Sequence, residues 1–487
     1  MQKRFIFIIL LFSFIFAKAQ KKHEIRAVWL TTNYALDWPS RPFDSPAGIA
    51  RQKNELEQIL DKLEAENYNM VFIQTRLRGD VIYHSAIEPM ATVLRKGEQN
   101  FGDYDPLAFA IEACHLRGLE CHAWFVTYPL GTIGKNGRVA KQLMKKKNMV
   151  KIHEGEYYLD PGEPATSTYL LGLIKEIVRN YDIDGFHFDY LRYPEKAKSF
   201  PDQSTFKKFG ADKKLNSWRR DNINKFVYSA YDTIKYIKPW VQVSSSVLGK
   251  YQYIPASPKA GWTAYEEVHQ DPVDWLRKGK HDFIVPMMYY TDDLFFPFIH
   301  NWIDQSHGRF VVPGIGLYRL DLNEGNWESK VIMDQIAYSR ENNTQGNAFY
   351  RAKYLADNFK GIQDKIFSQF YEHKSLLPAL TWLDNIAPAA LQEISAIAQD
   401  SVLRLSWENA DLEEVLYYNV YRSQKYPVDI GDPANIIFTG IRATEIYCRI
   451  DLRQEIGFHY VVTSNDRYHN ESSVSRNVYF CTGDFEK

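Results

Sequence analysis

The chain has 487 residues, which is long enough for more than one domain. Lysine and arginine number 59 and aspartate and glutamate 60, so the formal net charge is −1. A nucleic-acid-binding surface normally needs an excess of basic residues, and this balance argues against one. Aromatic residues make up 15% of the chain. Most of them are expected in a large core, although tryptophan and tyrosine also stack on sugar rings.

Residues 1–19 have the pattern of a cleavable signal peptide. Lys3 and Arg4 precede an apolar run from Phe5 to Phe16, and Ala17-Lys18-Ala19 fits a small-x-small cleavage site. The run is too short to span a bilayer comfortably, and no cysteine stands at the cleavage point to carry a lipid anchor. We therefore expect a periplasmic or secreted protein with no stable membrane insertion after cleavage.

Eight apolar segments of strand length alternate with helical patterns between residues 24 and 384. The predicted strands are Glu24–Thr32, Met70–Arg76, Glu120–Tyr128, the segment that begins at Asp184, Val241–Val247, Asp282–Tyr290, Phe310–Tyr318 and Gly346–Tyr350. The clearest helical patterns are Arg51–Asn67, Asp105–Arg117, Leu170–Tyr181, Asn216–Lys238 and Trp327–Asn342, and a further helix is predicted through Ser368–Leu380. This alternation is typical of an α/β protein and predicts a TIM-like (β/α)8 barrel.

A long segment, Leu130–Pro164, separates the third and fourth units of the predicted barrel. It is rich in glycine and lysine and contains Lys145-Lys146-Lys147. We expect a solvated loop. A loop of this length at the carboxyl-terminal face of a barrel can also form the wall of a substrate groove.

The region after residue 388 loses the helical period and consists of short alternating segments separated by turn residues. It predicts a small all-β sandwich over residues 389–487. The segments Leu405–Trp407, Tyr418–Arg422 and His459–Thr463 resemble a fibronectin type III module. Cys448 and Cys481 both fall in this region, and their pairing is left open because four cysteines in so long a chain form no disulfide framework.

Asp184–Pro194 contains the strongest candidate for catalysis. Side chains alternate across a strand, so His187 and Asp189 share one face, with Asp189 at the carboxyl-terminal end. Barrels keep their chemistry at that end. We interpret Asp189 as the nucleophile or base of a glycoside hydrolase, and an ion pair with Arg192 is the structural alternative. His187, one layer lower, contacts the carboxylate or the sugar, or is an ordinary interior histidine.

Glycoside hydrolysis generally needs a second carboxyl group across the scissile bond. The loop after the fifth strand contains Glu266 and Glu267, and Glu267 is our preferred general acid. Glu266 stays an alternative. Asp80, in an Arg-Gly-Asp turn after the second strand, and Asp292, after the sixth, are further candidates.

Sugar binding calls for aromatic faces and hydrogen-bond donors near these carboxylates. The candidates for stacking are Trp29, Trp124, Tyr193, Tyr289 and Tyr290. The candidates for bonding to hydroxyl or carboxylate groups of a glycan are Arg76, Arg78 and Arg192.

Several separated motifs also match a known family. They are Arg26–Thr32, Arg78–Asp80, Tyr104–Phe109, Arg117–Phe125, Asp184–Pro194, Trp218–Asn224 and Pro286–Tyr290. Through them the chain resembles the bacterial glycosyl-hydrolase-like family ten. The resemblance implies a TIM-like barrel, export and action on a polysaccharide, and some relatives are associated with peptidoglycan glycan strands. Many relatives have two adjacent aspartates where this chain has Asp189-Tyr190, which leaves Asp189 as the sole carboxylate at the end of that strand.

Three functions follow from these residues. The first is an exported glycoside hydrolase without a cofactor, acting on a polysaccharide such as peptidoglycan glycan strands. The second is a glycan-binding barrel without activity, since a fold does not guarantee chemistry. The third is a metal-dependent polysaccharide deacetylase, for which His122, His187 and Asp189 would be the ligands. No phosphate-binding loop, dinucleotide fingerprint or metalloprotease motif is present.

Overall fold

The computed structural model describes residues 20–97, 104–135, 138–146, 149–259, 261–399, 401–408, 414–450 and 456–482. The predicted signal peptide, residues 1–19, and Lys147 of the basic run lie outside the described residues. Within the described part of the chain, no helix is both long enough and apolar enough to cross a membrane.

The amino-terminal three quarters of the chain form a closed parallel barrel, as predicted. Its strands are β1 (Ile25–Leu30), β2 (Met70–Arg76), β3 (Glu120–Val126), β7 (Gly185–Asp189), β8 (Gln242–Leu248), β9 (Phe283–Met287), β10 (Phe310–Val311), β11 (Gly314–Gly316) and β12 (Gly346–Tyr350). They pair in the order β10-β9-β11-β12-β1-β2-β3-β7-β8, and a β8–β9 ladder closes the ring.

The seventh strand of the barrel is split into β10 and β11. Val312 and Pro313 separate the two short strands, and a proline has no backbone N–H to donate to a ladder. The chain still keeps its place, because Val312 N donates to Ile284 O at 3.0 Å and Pro313 O accepts from Ala348 N at 3.1 Å.

Helices cover the outside of the barrel and bury one face against it. They are α1 (Pro46–Ala65), α2 (Pro106–His115), α4 (Pro164–Asn180), α5 (Gln203–Phe209), α6 (Leu215–Ile237), α7 (Ala264–Glu267), α8 (Pro272–Arg277), α9 (Phe296–Asp304), α10 (Ser329–Glu341), α11 (Ala352–Ala356) and α12 (Ile362–Ile366). The apolar stripe of α4 is typical, with Leu170, Leu173, Ile174 and Ile177 all buried.

The helix predicted through Ser368–Leu380 is wrong for most of its length. A single π-helical turn spans Phe367–Tyr371, and the chain is extended near Leu376. Leu376 O accepts from Glu24 N at 2.9 Å, and Leu376 N donates to Lys22 O at 2.7 Å. The backbone groups that a helix would use are therefore bonded to the start of the barrel.

The segment Leu130–Pro164 is not simply a solvated loop. It forms β4 (Pro129–Thr132), α3 (Arg138–Lys146), β5 (Val150–His153) and β6 (Glu156–Leu159), and the three strands pair antiparallel in the order β4-β6-β5. Glu154 and Gly155 join β5 to β6 with φ angles of 48° and 80°. Two positive φ angles are what a two-residue hairpin turn of the I′ type requires.

The carboxyl-terminal domain contains two antiparallel sheets. One has the order β13 (Ile394–Gln399), β14 (Val402–Trp407), β17 (Glu445–Arg449), and the other β16 (Ile436–Ile441), β15 (Tyr417–Ser423), β18 (Gly457–Asn465), β19 (Val478–Cys481). Leu405, Trp407, Val420 and Val462 from both sheets share one core. The sheets agree with the predicted sandwich, and the fibronectin type III assignment stays a prediction. Cys448 and Cys481 are both free.

Close packing between β3 and β7 depends on a glycine. A Cβ atom at Gly185 would lie 2.1 Å from Nδ1 of His122, a ring that is fully buried inside the barrel. Strand pairing sets His122 opposite Gly185, so neither partner can move without breaking the ladder. The first residue of the strand that ends at Asp189 must therefore be small.

We predict that Gly185→Ala lowers the free energy of unfolding by about 1–3 kcal/mol, the usual cost of overpacking a core. Denaturant unfolding followed by tryptophan fluorescence measures it. The control is Gly172→Ala in α4, where the new methyl group would meet only the end of the Ile87 side chain, at 3.0 Å. That change should stay within about 1 kcal/mol of the parent. Equal effects of the two substitutions would contradict the argument.

The sandwich is attached to the amino-terminal ends of the barrel strands by a buried polar cluster. Glu120 begins β3, and its carboxylate lies 3.1 Å from His469 Nε2 and 3.0 Å from His122 Nε2. Gln242 donates to the same carboxylate at 2.9 Å. Burial alone would lower the pKa of His469, but the Glu120 charge outweighs it and the pKa is raised. Burial likewise opposes ionisation of Glu120, yet His469 and His122 hold its pKa below the usual range.

These shifts predict a pH window for stability. The stability that comes from protonated His469 is fully present below about pH 6.5 and is lost as the pH rises through the raised pKa of His469. The stability that comes from ionised Glu120 is fully present above about pH 4.3 and is lost as the pH falls through the lowered pKa of Glu120. The melting temperature of His469→Gln should therefore fall furthest below the parent between these values and approach it at alkaline pH. His300→Gln, at an exposed histidine on α9, should show no such dependence. A constant difference across pH for His469→Gln would refute the linkage.

Candidate active site

A cavity of about 310 Å³ opens at the carboxyl-terminal ends of the barrel strands. Six of the predicted site residues line it, namely Trp29, Arg78, Trp124, Asp189, Arg192 and Tyr289. They come from the ends of β1, β3 and β7 and from the loops after β2, β7 and β9. The barrel therefore gathers residues that are up to 260 positions apart in the chain, at the face where barrels hold their sites.

Asp189 is the last residue of β7 and is 6% exposed. Its Oδ2 accepts a hydrogen bond of 3.1 Å from the Trp124 indole, and its Oδ1 accepts one of 2.7 Å from the Tyr190 backbone N–H. Burial raises the pKa of the carboxyl group, and the charge of Arg192 and the two N–H donors offset only part of that effect. Asp189 is thus a fixed carboxyl group with an increased tendency to hold a proton.

His187 does not bond to Asp189. Its Nδ1 lies 2.8 Å from Ser244 Oγ, and its Nε2 lies 3.1 Å from the Trp29 indole nitrogen. An indole nitrogen only donates, so Nε2 accepts and Nδ1 carries the proton. Burial holds the pKa of His187 well below its usual range, and the Phe72 ring stacks on it at 4.0 Å. His187 matches the interior alternative and orients Trp29.

An aromatic wall faces the carboxyl group. Tyr289 stacks with Tyr350 at 5.9 Å between ring centroids, and Tyr318 meets both rings edge-on at 5.6 and 5.7 Å. Trp29 packs against Tyr350 at 6.1 Å. Burial raises the pKa of Tyr350 to about 12, so its hydroxyl stays a donor. Tyr318 and Tyr350 were missed from sequence, although Tyr350 ends a predicted strand.

Two arginines line the other side. Arg78 donates a hydrogen bond to the Glu156 carboxylate at 2.7 Å. Arg192 makes no ion pair with Asp189, although both residues belong to the described part of the chain. The guanidinium carbon of Arg192 lies 4.7 Å from the centroid of the Tyr190 ring and that of Arg78 lies 5.9 Å from it. The alternative, a direct ion pair between Asp189 and Arg192, is therefore not formed. The positive charge of Arg192 still acts to lower the pKa of Asp189.

Glu156 is an acidic residue that was not predicted from sequence. It is the first residue of β6, directly after the Glu154-Gly155 turn, and it is partly exposed. It lines a second groove of about 310 Å³ that shares Arg78, Tyr190 and Arg192 with the main cavity. The pair Glu154-Gly155, between two segments rich in β-branched and aromatic residues, could have predicted this turn from the sequence.

Glu266 and Glu267 lie outside the cavity. Both carboxylates accept hydrogen bonds from Thr263, which precedes α7, and Glu267 Oε2 accepts from Thr263 N at 2.8 Å and Thr263 Oγ1 at 2.7 Å. Carboxylates in the first turn of a helix that bond back to the preceding residue have a common structural role. The geometry therefore does not bring Glu267 to Asp189.

The other predicted residues also lie away from the cavity. Arg76 is fully buried and binds both oxygens of Glu88, at 2.8 and 2.6 Å. Asp80 accepts from Arg78 N at 3.3 Å, and burial raises its pKa to about 6. Tyr193 is buried against Phe200 at 5.3 Å. Tyr290 lies 5.3 Å from the Lys250 ammonium, and Asp292 begins a short 3-10 helix.

The ligand set proposed for a deacetylase is not assembled. His122 bonds to Glu120 at the opposite end of the barrel. His187 bonds to Trp29 and Ser244, and Asp189 bonds to Trp124. Among the residues that the structure describes, no group of three or more His, Cys, Asp or Glu side chains has the arrangement of a metal site. The geometry gives no support to that alternative.

Comparisons with known proteins agree with the barrel fold. The family Glycosyl hydrolase-like 10 matches residues 24–309. The chain is similar to the glycosyl hydrolase YngK of Bacillus subtilis (30% identical, 94% of each chain) and to the glycosyl hydrolase DigH of Escherichia coli (30% identical, 56% of this chain and 66% of DigH). The glycoside hydrolase domain of PgaB (BpsB) from Bordetella bronchiseptica shares the fold, with a TM-score of 0.51, 13% identity, and coverage of 72% of this chain and 99% of that domain.

The family match covers more than half of the chain and includes β1 to β9 together with Asp189, Glu156 and both cavity arginines. The full-length likeness to YngK reaches the carboxyl-terminal domain as well. The protein therefore belongs to the glycosyl hydrolase-like 10 family and has a barrel of the glycoside hydrolase type.

Proposed function

We propose that the protein is an exported glycoside hydrolase that cleaves a polysaccharide, with peptidoglycan glycan strands as a candidate substrate. The observation that carries this proposal is the buried carboxyl group of Asp189, which projects into an aromatic cavity at the catalytic face of the barrel. Export rests on the signal-peptide pattern of residues 1–19. Peptidoglycan rests on the family resemblance.

Asp189 is assigned here as the general acid rather than the nucleophile or base. A raised pKa suits a group that must hold a proton and deliver it to the leaving glycosidic oxygen. The two N–H donors orient the carboxyl group and leave one site on each oxygen, one for the acidic proton and one that can accept a hydrogen bond from a ligand.

Glu156 is the favoured second carboxyl group. It is joined through Arg78 to the main cavity and lines the groove that adjoins it. The Arg78 guanidinium fixes the orientation of the Glu156 side chain, which suits activation of water or attack on the sugar. Glu267 remains the competing assignment and requires α7 to move, because its present bonds are to Thr263.

Single substitutions separate these assignments. Asp189→Asn and Glu156→Gln should each lower kcat by about 100- to 10,000-fold, the usual contribution of acid–base catalysis, while Glu267→Gln should leave kcat unchanged. New reducing ends released from peptide-free peptidoglycan glycan strands and from a panel of defined polysaccharides provide the measurement. Loss of activity in Glu267→Gln with an active Glu156→Gln would instead support Asp189 and Glu267, the pair predicted from the sequence.

The hydrogen bond from Trp124 tunes Asp189, and its removal has a predictable sign. Trp124→Phe removes a donor that favours the ionised carboxylate, so the pKa of Asp189 should rise further. A general acid must be protonated, and the alkaline limb of the pH–rate profile should therefore move to higher pH. Trp29→Phe removes an indole that bonds to His187 instead and should leave that limb in place. A shift to lower pH in Trp124→Phe would contradict the assignment of Asp189 as the acid.

A glycan-binding protein without activity is the second candidate. It is favoured by one observation, that Asp189 alone among the described lining residues of the main cavity is acidic. Calorimetric binding of oligosaccharides without product formation, unchanged in Glu156→Gln, would support it over hydrolysis.

A further inference from the structure

Arg192 differs from the other buried arginines of the described chain. Arg26, Arg76 and Arg219 each bind a carboxylate, from Glu24, Glu88 and Asp202. Arg192 is 7% exposed. Its guanidinium forms no hydrogen bond or ion pair with another described residue. Its Nε is fully buried without a partner. A buried N–H group left without an acceptor is costly.

The Arg192 side chain packs on an aromatic ring and also lines the cavity. Its side chain lies over the Tyr190 ring at 4.7 Å, and Tyr190 itself has a φ of 54°, a conformation that bulky residues rarely adopt. The charge of Arg192 acts on Asp189, whose two carboxyl oxygens accept hydrogen bonds from the Trp124 indole and the Tyr190 backbone N–H. Arg192 lines both the main cavity and the adjoining groove.

We propose that Arg192 is a specificity-determining residue that binds a carboxylate carried by the glycan, so that the substrate of this site is an acidic polysaccharide. This inference rests on the proposed function and adds the chemical class of the substrate. The planar guanidinium presents paired N–H groups that match the two oxygens of a carboxylate. A neutral sugar offers only single hydroxyl acceptors and would leave most of these donors unpaired.

Arg78 does not share this role to the same degree. Its guanidinium is already bonded to Glu156 at 2.7 Å, and that pair carries no net charge. Arg192 therefore supplies a positive charge that is bonded to no carboxylate of the described chain, and it lines both parts of the site. A carboxylated sugar bound there would be placed next to the scissile bond.

Matched substrates test this role directly. The probes are peptide-free peptidoglycan glycan strands, polygalacturonate and hyaluronan, each used intact and after chemical reduction of its carboxyl groups to alcohols. The intact form of at least one should bind about 10- to 100-fold more tightly than its reduced form, as expected for a charge-assisted bidentate contact. Binding is measured by calorimetry on Asp189→Asn, so that no turnover is needed, and kcat/KM is measured on the parent.

Arg192→Gln should abolish the preference for the intact form by weakening its binding and leave binding of the reduced form unchanged. Arg192→Lys, which keeps the charge and loses the paired geometry, should retain part of the preference. The control is Arg319→Gln, which removes an arginine that also lies over a tyrosine, 5.0 Å from the Tyr318 ring centroid, but does not line the cavity. It should keep the full preference.

The outcomes separate this inference from the proposed function. Charge-selective binding that depends on Arg192 without product formation keeps the inference and refutes hydrolysis. Hydrolysis with no preference for carboxylated over reduced forms across the panel refutes the inference alone. Equal losses on both forms in Arg192→Gln would show that Arg192 does not distinguish a carboxylate from an alcohol, and would also overturn it. A preference for sulfated over carboxylated glycans would overturn the choice of carboxylate.

Discussion

The hydrogen bond between the Trp124 indole and the Asp189 carboxyl group joins two neighbouring strands at the rim of the barrel. β3 and β7 pair in a register that sets Val126 beside Asp189, and the Asp189 carbonyl also accepts from the Thr127 hydroxyl at 2.8 Å. The acidic side chain is therefore fixed by main-chain and side-chain contacts to a single neighbouring strand. A carboxyl group that is buried and fixed in this way has little freedom to relax toward water, and this is why its proton affinity departs from that of a surface aspartate.

The layer below the carboxyl group supports the aromatic wall. His187 is neutral and bonds to Trp29 and to serines of β8, so that the indole cannot rotate away from the cavity. Gly185 below it admits the His122 ring. The inward-facing residues of one short strand thus differ in role along its length. Gly185 allows close packing, His187 orients a tryptophan, and Asp189 places a carboxyl group in the cavity. This agrees with the layered filling of barrels of this type.

The alternating pattern was sufficient to predict the barrel, because parallel strands buried on both faces are continuous apolar runs; β2 and β12 have the predicted bounds. Asp189 followed from its place at the end of such a run. The position of Glu267 outside the cavity could not be predicted, since sequence does not reveal that its carboxylate accepts hydrogen bonds from Thr263. Glu156 was missed because β4, β5 and β6 have four residues each, too few for a periodic signal, and only their pairing to one another brings that residue beside Arg78.

The cluster of Glu120, His122, Gln242 and His469 has a consequence for how the chain can be divided. The sandwich supplies His469, which the barrel needs to neutralise a buried carboxylate at its amino-terminal face. A fragment ending near residue 384 would expose that charge and several apolar side chains to water. The barrel and the sandwich therefore depend on each other for stability. The sandwich occupies the amino-terminal face of the barrel, while the carboxyl-terminal face carries the open cavity.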